Sequence, residues 1–229
     1  MELPPGCKVD GNIFRHAPSN FEGVLTVPDG ITFIGEDAFH DCSRMSAVHI
    51  PDSVTTIGRY AFSGCSALTS VCLPRIPEIA NGTFQRCSAL TNVHIPDSVK
   101  TILEWSFFGC SSLSGIQIPN SVSEIEEGAF ADCSALKFIH IPKSVAIIKK
   151  WAFLGCSSLS GAILPKDMLY GNNVFPETNK FRIFDSVAAY RRHLAANLAE
   201  ERCHDAVDVV GMRTPQPEPA IDSRGGRDF

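Results

Sequence analysis

Nine cysteines and seven histidines hold most of the chemistry this sequence can offer. Six of the cysteines fall at a regular interval: Cys42, Cys65, Cys87, Cys110, Cys133 and Cys156. A serine follows each of them. A thiol acts as a nucleophile or redox group where an exposed, electropositive setting favours the thiolate. A thiol that recurs in phase with an apolar column is instead a small buried filler of a repeated turn. A second series keeps the same interval: His49, Cys72, His94, Gln117, His140 and Ile163. Its His, Cys, His sequence offers ligand types that zinc accepts. On neighbouring parallel strands, however, such side chains stand side by side, and a tetrahedral site needs convergence and a fourth ligand. No metal and no cofactor is expected. The sequence shows no phosphate loop, His-Glu-x-x-His helix, nucleophile elbow or kinase motif, so no catalytic residue is assigned and the chain is expected to be non-enzymatic.

The elements that position these residues are read from the repeat. Prolines stand at Pro28, Pro51, Pro74, Pro96, Pro119, Pro142 and Pro165, in steps of 23 residues except one of 22. Phe39, Phe62, Phe84, Phe107, Phe130 and Phe153 march in the same phase. Three columns in phase over six units define a solenoid, because self-similarity at such a period means stacked supersecondary units. Counting each proline as position 1, residues 51–73 place apolar residues at 4, 7, 11, 12, 15, 18, 21 and 23. Leu68, Val71 and Leu73 form the Leu-x-x-Val-x-Leu strand signature of a leucine-rich repeat. Positions 21 and 23 point to one side of that strand and position 22 to the other. Proline cannot donate to a ladder, so it ends the strand where the chain turns. Coil three (74–95) is one residue short and carries Arg75-Ile76-Pro77, which predicts a tightened corner.

The run IPDSVTTIGRYAFSGCSALTSVCLP resembles the BspA-type (Treponema-type) leucine-rich repeat family in its proline, Val-x-x-Ile-Gly, Ala-Phe, Cys-Ser and Leu-x-x-Val-x-Ile positions. The resemblance covers residues 28–164 closely and 21–175 more loosely. It implies a right-handed coil with a parallel strand per turn on the concave side and short extended or turn segments on the convex side. Some bacterial members are surface adhesins; many others have no assigned activity.

The ends follow from the need to close exposed coils. Residues 1–20 are read as an N-terminal extension and 21–202 as the solenoid with its caps. The segment 21–27 acts as a half-repeat N-cap. At the back, residues 181–184 are expected to form a last strand, with Asp185 capping a helix to about residue 202. Val187, Tyr190, Leu194 and Leu198 give that helix an apolar stripe. Val187 and Tyr190 also resemble the Val-x-x-Tyr closing segment of bacterial family members. Residues 203–229 are expected to be a disordered tail, rich in proline, glycine and charge from residue 211 onward.

A net charge of −5 argues against nucleic acid, which would call for a basic stripe. No stretch approaches the roughly 20 apolar residues of a membrane helix, and the N-terminus lacks the plan of a secretory signal. A cytoplasmic protein that binds a protein partner is therefore expected, with a cell-surface adhesin binding host or matrix proteins as the alternative. The expected contact residues on the concave face are His49, Cys72, Asn92, His94, Gln117, Phe138 and His140, with Phe138 as an aromatic anchor among polar neighbours. A flank patch of Trp105, Phe108, Trp151 and Leu154 competes with them, unless those rings are half-buried in packing. Asn81-Gly82-Thr83 matches a glycosylation acceptor but reads as a turn.

Overall fold

The computed structural model of the chain describes residues 3–166, 168–177, 181–186, 188–193 and 195. Residues up to Ser186 form one unit, a β-solenoid; the stretch 188–193 in the second unit is helical. Of the expected helix stripe, Val187, Leu194 and Leu198 lie outside the described residues, as does 203–229.

Each coil closes at its proline. The position-4 amide donates to the proline carbonyl, as in Val54 to Pro51 (3.0 Å) and Val99 to Pro96 (3.1 Å), so Pro-Asp-Ser-Val folds as a tight four-residue turn. Coil three differs as its missing residue requires. Ile76 donates to Pro74 itself at 2.8 Å, closing the corner one residue sooner. Pro77 then has no amide to offer. The ladder of position-8 amides, seen in Gly58 to Ile34 and Leu103 to Ile79, skips the step from Ala80 to Ile57. The sheet of short return strands accordingly divides there, into one part ending at Thr56–Ile57 and another starting at Glu78–Ile79.

The strand side is also parallel. Glu22–Thr26, Arg44–His49, Ser70–Cys72 and Asn92–His94 pair in order, and Phe138–His140, Gly161–Ile163 and Arg182–Phe184 form a second group. The last strand expected over 181–184 is thus present. Coil four should supply a strand between the two groups, and residues 115–118 match the pattern, yet they pair with neither neighbour.

Between the two sides runs a column of phenylalanines. Phe14, Phe39, Phe62, Phe84, Phe107, Phe130, Phe153 and Phe175 stack with successive centroids 4.8–5.6 Å apart, and Phe181 follows Phe175 at 4.9 Å. One coil cannot bury its own ring; each coil is the floor for the next. Every buried Phe contributes about 1.5–3 kcal/mol of transfer free energy. Phe14 extends the column into the stretch read as an extension: Lys8–Asp10 and Ile13–His16 form an antiparallel hairpin, and Ile13–His16 continues the return sheet against Phe33–Ile34.

Candidate protein-binding face

Position 22 points outward at His49, Cys72, His94, Gln117 and His140, all exposed. Register places Cys72 directly beside His94 and Ser70 beside Asn92. Ile163 departs from the series. It pairs with both His140 and Phe184 and is buried, so the outward row ends at His140.

The unpaired segment of coil four opens the face. On one side of it lies a cleft of about 460 Å³, lined by Asn92, His94, Asp97, Gly115 and Gln117 among others. On the other lies one of about 510 Å³, whose walls include Asp97, Gln117, Lys137, Phe138 and His140. These are sizes usual for ligand sites. Five of the seven residues expected on this face, Asn92, His94, Gln117, Phe138 and His140, therefore line one pair of adjoining clefts. His49 and Cys72 lie on the same face outside both. Sequence reasoning missed the clefts themselves, since nothing in Ser-Gly-Ile-Gln-Ile announces that its ladder is broken. Among the described residues, no group of three His, Cys, Asp or Glu side chains is placed to hold a metal ion.

The column thiols are fixed structural parts. Cys65, Cys87, Cys110 and Cys156 each donate to the carbonyl of the preceding coil's phenylalanine, at 3.1 Å, and Cys133 does so at 3.2 Å. Burial pushes the Cys87 and Cys156 thiols up to about 12 and Cys42 to about 11, and raises Cys65, Cys110 and Cys133 well above the ordinary range. Thiols held protonated this way are poor nucleophiles. All eight described cysteines are free.

On the flank, Trp105 meets Phe108 edge-on at 5.5 Å and Trp151 at 6.4 Å. Lys150 Nζ sits 4.2 Å from the Trp151 ring centroid, a cation–π contact, and reaches Glu127 at 3.3 Å. The three rings are half-buried; Leu154 is exposed. At the glycosylation-like triplet, Thr83 is buried with its hydroxyl donating to Ala80, and the Asn81 amide donates to Glu104.

The model for the BspA type leucine-rich repeat region matches the chain in six copies, over residues 8–93 and 77–188. The chain belongs to this family. Solved structures of leucine-rich repeat proteins share its fold. One from Eubacterium ventriosum is 24% identical, with 71% of this chain and 50% of that one covered and a TM-score of 0.57. The chain thus spans half the length of that protein. The Treponema pallidum (T. pallidum) leucine-rich repeat protein is 24% identical over 84% of this chain and 92% of its own, TM-score 0.46. A leucine-rich cell surface protein from Faecalibacterium prausnitzii is 24% identical over 81% and 69%, TM-score 0.48. No curated protein matches the chain. As a BspA-type repeat, it presents a face of strands with no helix among its described residues long and apolar enough to cross a membrane.

Proposed function

We propose that the chain is a non-enzymatic interaction module that binds a protein partner at the clefts beside coil four. The observation that carries this is the gathering of Asn92, His94, Gln117, Phe138 and His140 around one break in the strand ladder. Repeat proteins use such extended surfaces for partners, and an aromatic ring with polar surroundings has the makeup of a hot spot. The flank tryptophans, in contact with Phe108, Lys150 and each other, are the competing surface.

A cytoplasmic scaffold and a surface adhesin would use the same face, and fractionation of native cells separates the two. The site itself is tested with a partner crosslinked and identified from the native source. Phe138→Ala with His140→Ala should weaken binding while circular dichroism stays unchanged. Weakening by Trp105→Ala with Trp151→Ala alone would move the site to the flank.

A further inference from the structure

We propose that the strand face takes a short acidic segment of its partner, whose carboxylates lie on Lys137, Lys143 and Lys166 beside Phe138 and His140. This rests on the strand-face function proposed above and deepens it by stating the partner's charge.

The chain is acidic as a whole, at −5, but its charge is unevenly spread. Residues 1–132 carry fifteen Asp and Glu against seven Lys and Arg, whereas residues 133–186 carry three against seven. The same change of sign runs along one row of the solenoid. Position 2, the residue after each proline, reads Asp29, Asp52, Arg75, Asp97, Asn120, Lys143 and Lys166. Every one of them is exposed, at the outer corner of the turn that closes a coil, as where Val145 donates to Pro142 at 3.1 Å. The row borders the strand face, since the turn follows the strand directly and Lys143 stands three residues after His140.

Three lysines converge on this border. Lys137 lines the cleft of about 510 Å³ with Phe138, His140 and Pro142, and Lys143 follows Pro142 directly. Lys166 takes the equivalent place one coil further on. Among the described residues, the ammonium groups of these three make no ion pair. Lys149 and Lys150, on the return side, are by contrast held by Glu126 at 2.7 Å and Glu127 at 3.3 Å. Exposed, unpaired ammonium groups steer carboxylates toward the face, and the ring of Phe138 supplies a contact at short range. Asp97, on the same cleft and two coils before Lys143, limits how far an anion can extend. A polyanion running along the row would meet Asp97 and then Asp52 and Asp29, where like charges repel it. A protein segment with a few carboxylates fits within the basic stretch.

The test pans a displayed library of random peptides against the full chain at low salt. The binders should be rich in Asp and Glu, and their affinity should fall ~5-fold or more between about 50 and 200 mM salt, because exposed charges are screened over that range. Lys143→Glu with Lys166→Glu should weaken them by ~10-fold or more, and Lys143→Gln with Lys166→Gln by less, with circular dichroism unchanged. Lys8→Glu with Arg59→Glu makes the same change of net charge away from the strand face and should move the affinity by no more than ~2-fold. Neutral or basic binders, or acidic ones indifferent to the changes at Lys143 and Lys166, overturn the acidic segment. If Phe138→Ala with His140→Ala still abolishes those binders, the strand-face function stands. Binders indifferent to both double substitutions count against the strand-face function as well. Acidic binders that need the lysines and not Phe138 and His140 would lie off the cleft, which overturns the site proposed. Polyphosphate binding as tightly as the best peptide, and lost with the same lysines, would make the row a general polyanion surface and overturn the proposal. A library that yields no binder also overturns it.

Discussion

The ring of Trp105 lies across the α-carbon of Gly128, one coil further on, so closely that a β-carbon on that glycine would overlap the indole. Tyr60 covers Gly82 in the same way. Both aromatic residues have positive φ, 53° for Tyr60 and 56° for Trp105, as does Trp151 at 63°. At these two steps the ring is aimed along the stack, onto a coil that presents bare backbone. Position 14 repeats the arrangement: Asp41 overhangs Gly64 and Asp132 overhangs Gly155. Gly128→Ala should therefore cost about 2–4 kcal/mol, from left-handed strain plus overpacking. In a Trp105→Ala background the overlap disappears, and the cost should fall by ~1 kcal/mol or more in a double-mutant cycle by urea denaturation. Equal costs in both backgrounds would mean that the ring does not constrain the glycine.

Phe107 is fully buried between Phe84 at 5.4 Å and Phe130 at 5.1 Å, with the latter ring only 2° from parallel. Phe107→Ala should destabilise by ~3–5 kcal/mol, or unfold coils four and five locally. Denaturation monitored by circular dichroism checks the first outcome and hydrogen exchange the second. An unchanged midpoint and unchanged exchange would remove the phenylalanine column from the core.

Columns of identical residues made the solenoid legible, because Pro, Phe and Cys recur wherever the coil turns or stacks. Phe14 and Phe175 escaped for lack of phase. Phe14 precedes Phe39 by 25 residues and enters through a hairpin with no proline, while Phe175 follows Phe153 by 22. The overlaps were present as alternation, Tyr60-Gly82-Trp105-Gly128, but a tryptophan gives no sign that its φ is positive. The candidate site was legible as outward residues on a strand and no further. Residues 115–118 carry the same pattern as their paired neighbours, and a ladder breaks through the fit of three coils in space, which no single repeat encodes. Gly115 adds no side chain to hold its strand, though Gly161 at the same position is paired on both sides.

The thiol column sets a pH dependence. Unfolded thiols ionise near 9.0, while Cys87 and Cys156 keep their protons up to about 12 in the folded chain because burial disfavours the thiolate. Between those values the unfolded state binds fewer protons, so stability is present in full below pH 9 and falls as pH rises. Urea midpoints should decline from pH 7 to pH 10, and Cys87→Ala should decline less steeply. At pH 8 only ~0.01% of such a thiol is ionised, so iodoacetamide should label exposed Cys72 and spare the column. Column peptides labelled as fast as Cys72, read by mass spectrometry of the native protein, would contradict the burial.

Position 11 is alanine in four coils, Ala38, Ala61, Ala129 and Ala152, and a hydroxyl residue in two. Thr83 satisfies its hydroxyl by donating to Ala80 at 2.8 Å. Ser106 is equally buried, but its Oγ has no hydrogen-bond partner, although its amide makes the equivalent turn to Leu103. A buried hydroxyl without a partner costs about 1–3 kcal/mol relative to water, and replacing it by a methyl removes that cost while losing a single oxygen's volume. Ser106→Ala should thus stabilise the chain by ~1 kcal/mol, whereas Thr83→Ala, which loses a made bond, should destabilise by about the same amount. Urea denaturation with an unchanged slope reads both. If Ser106→Ala loses as much stability as Thr83→Ala, its hydroxyl is bonded in solution, and coil four is better satisfied on its return side than on its strand side.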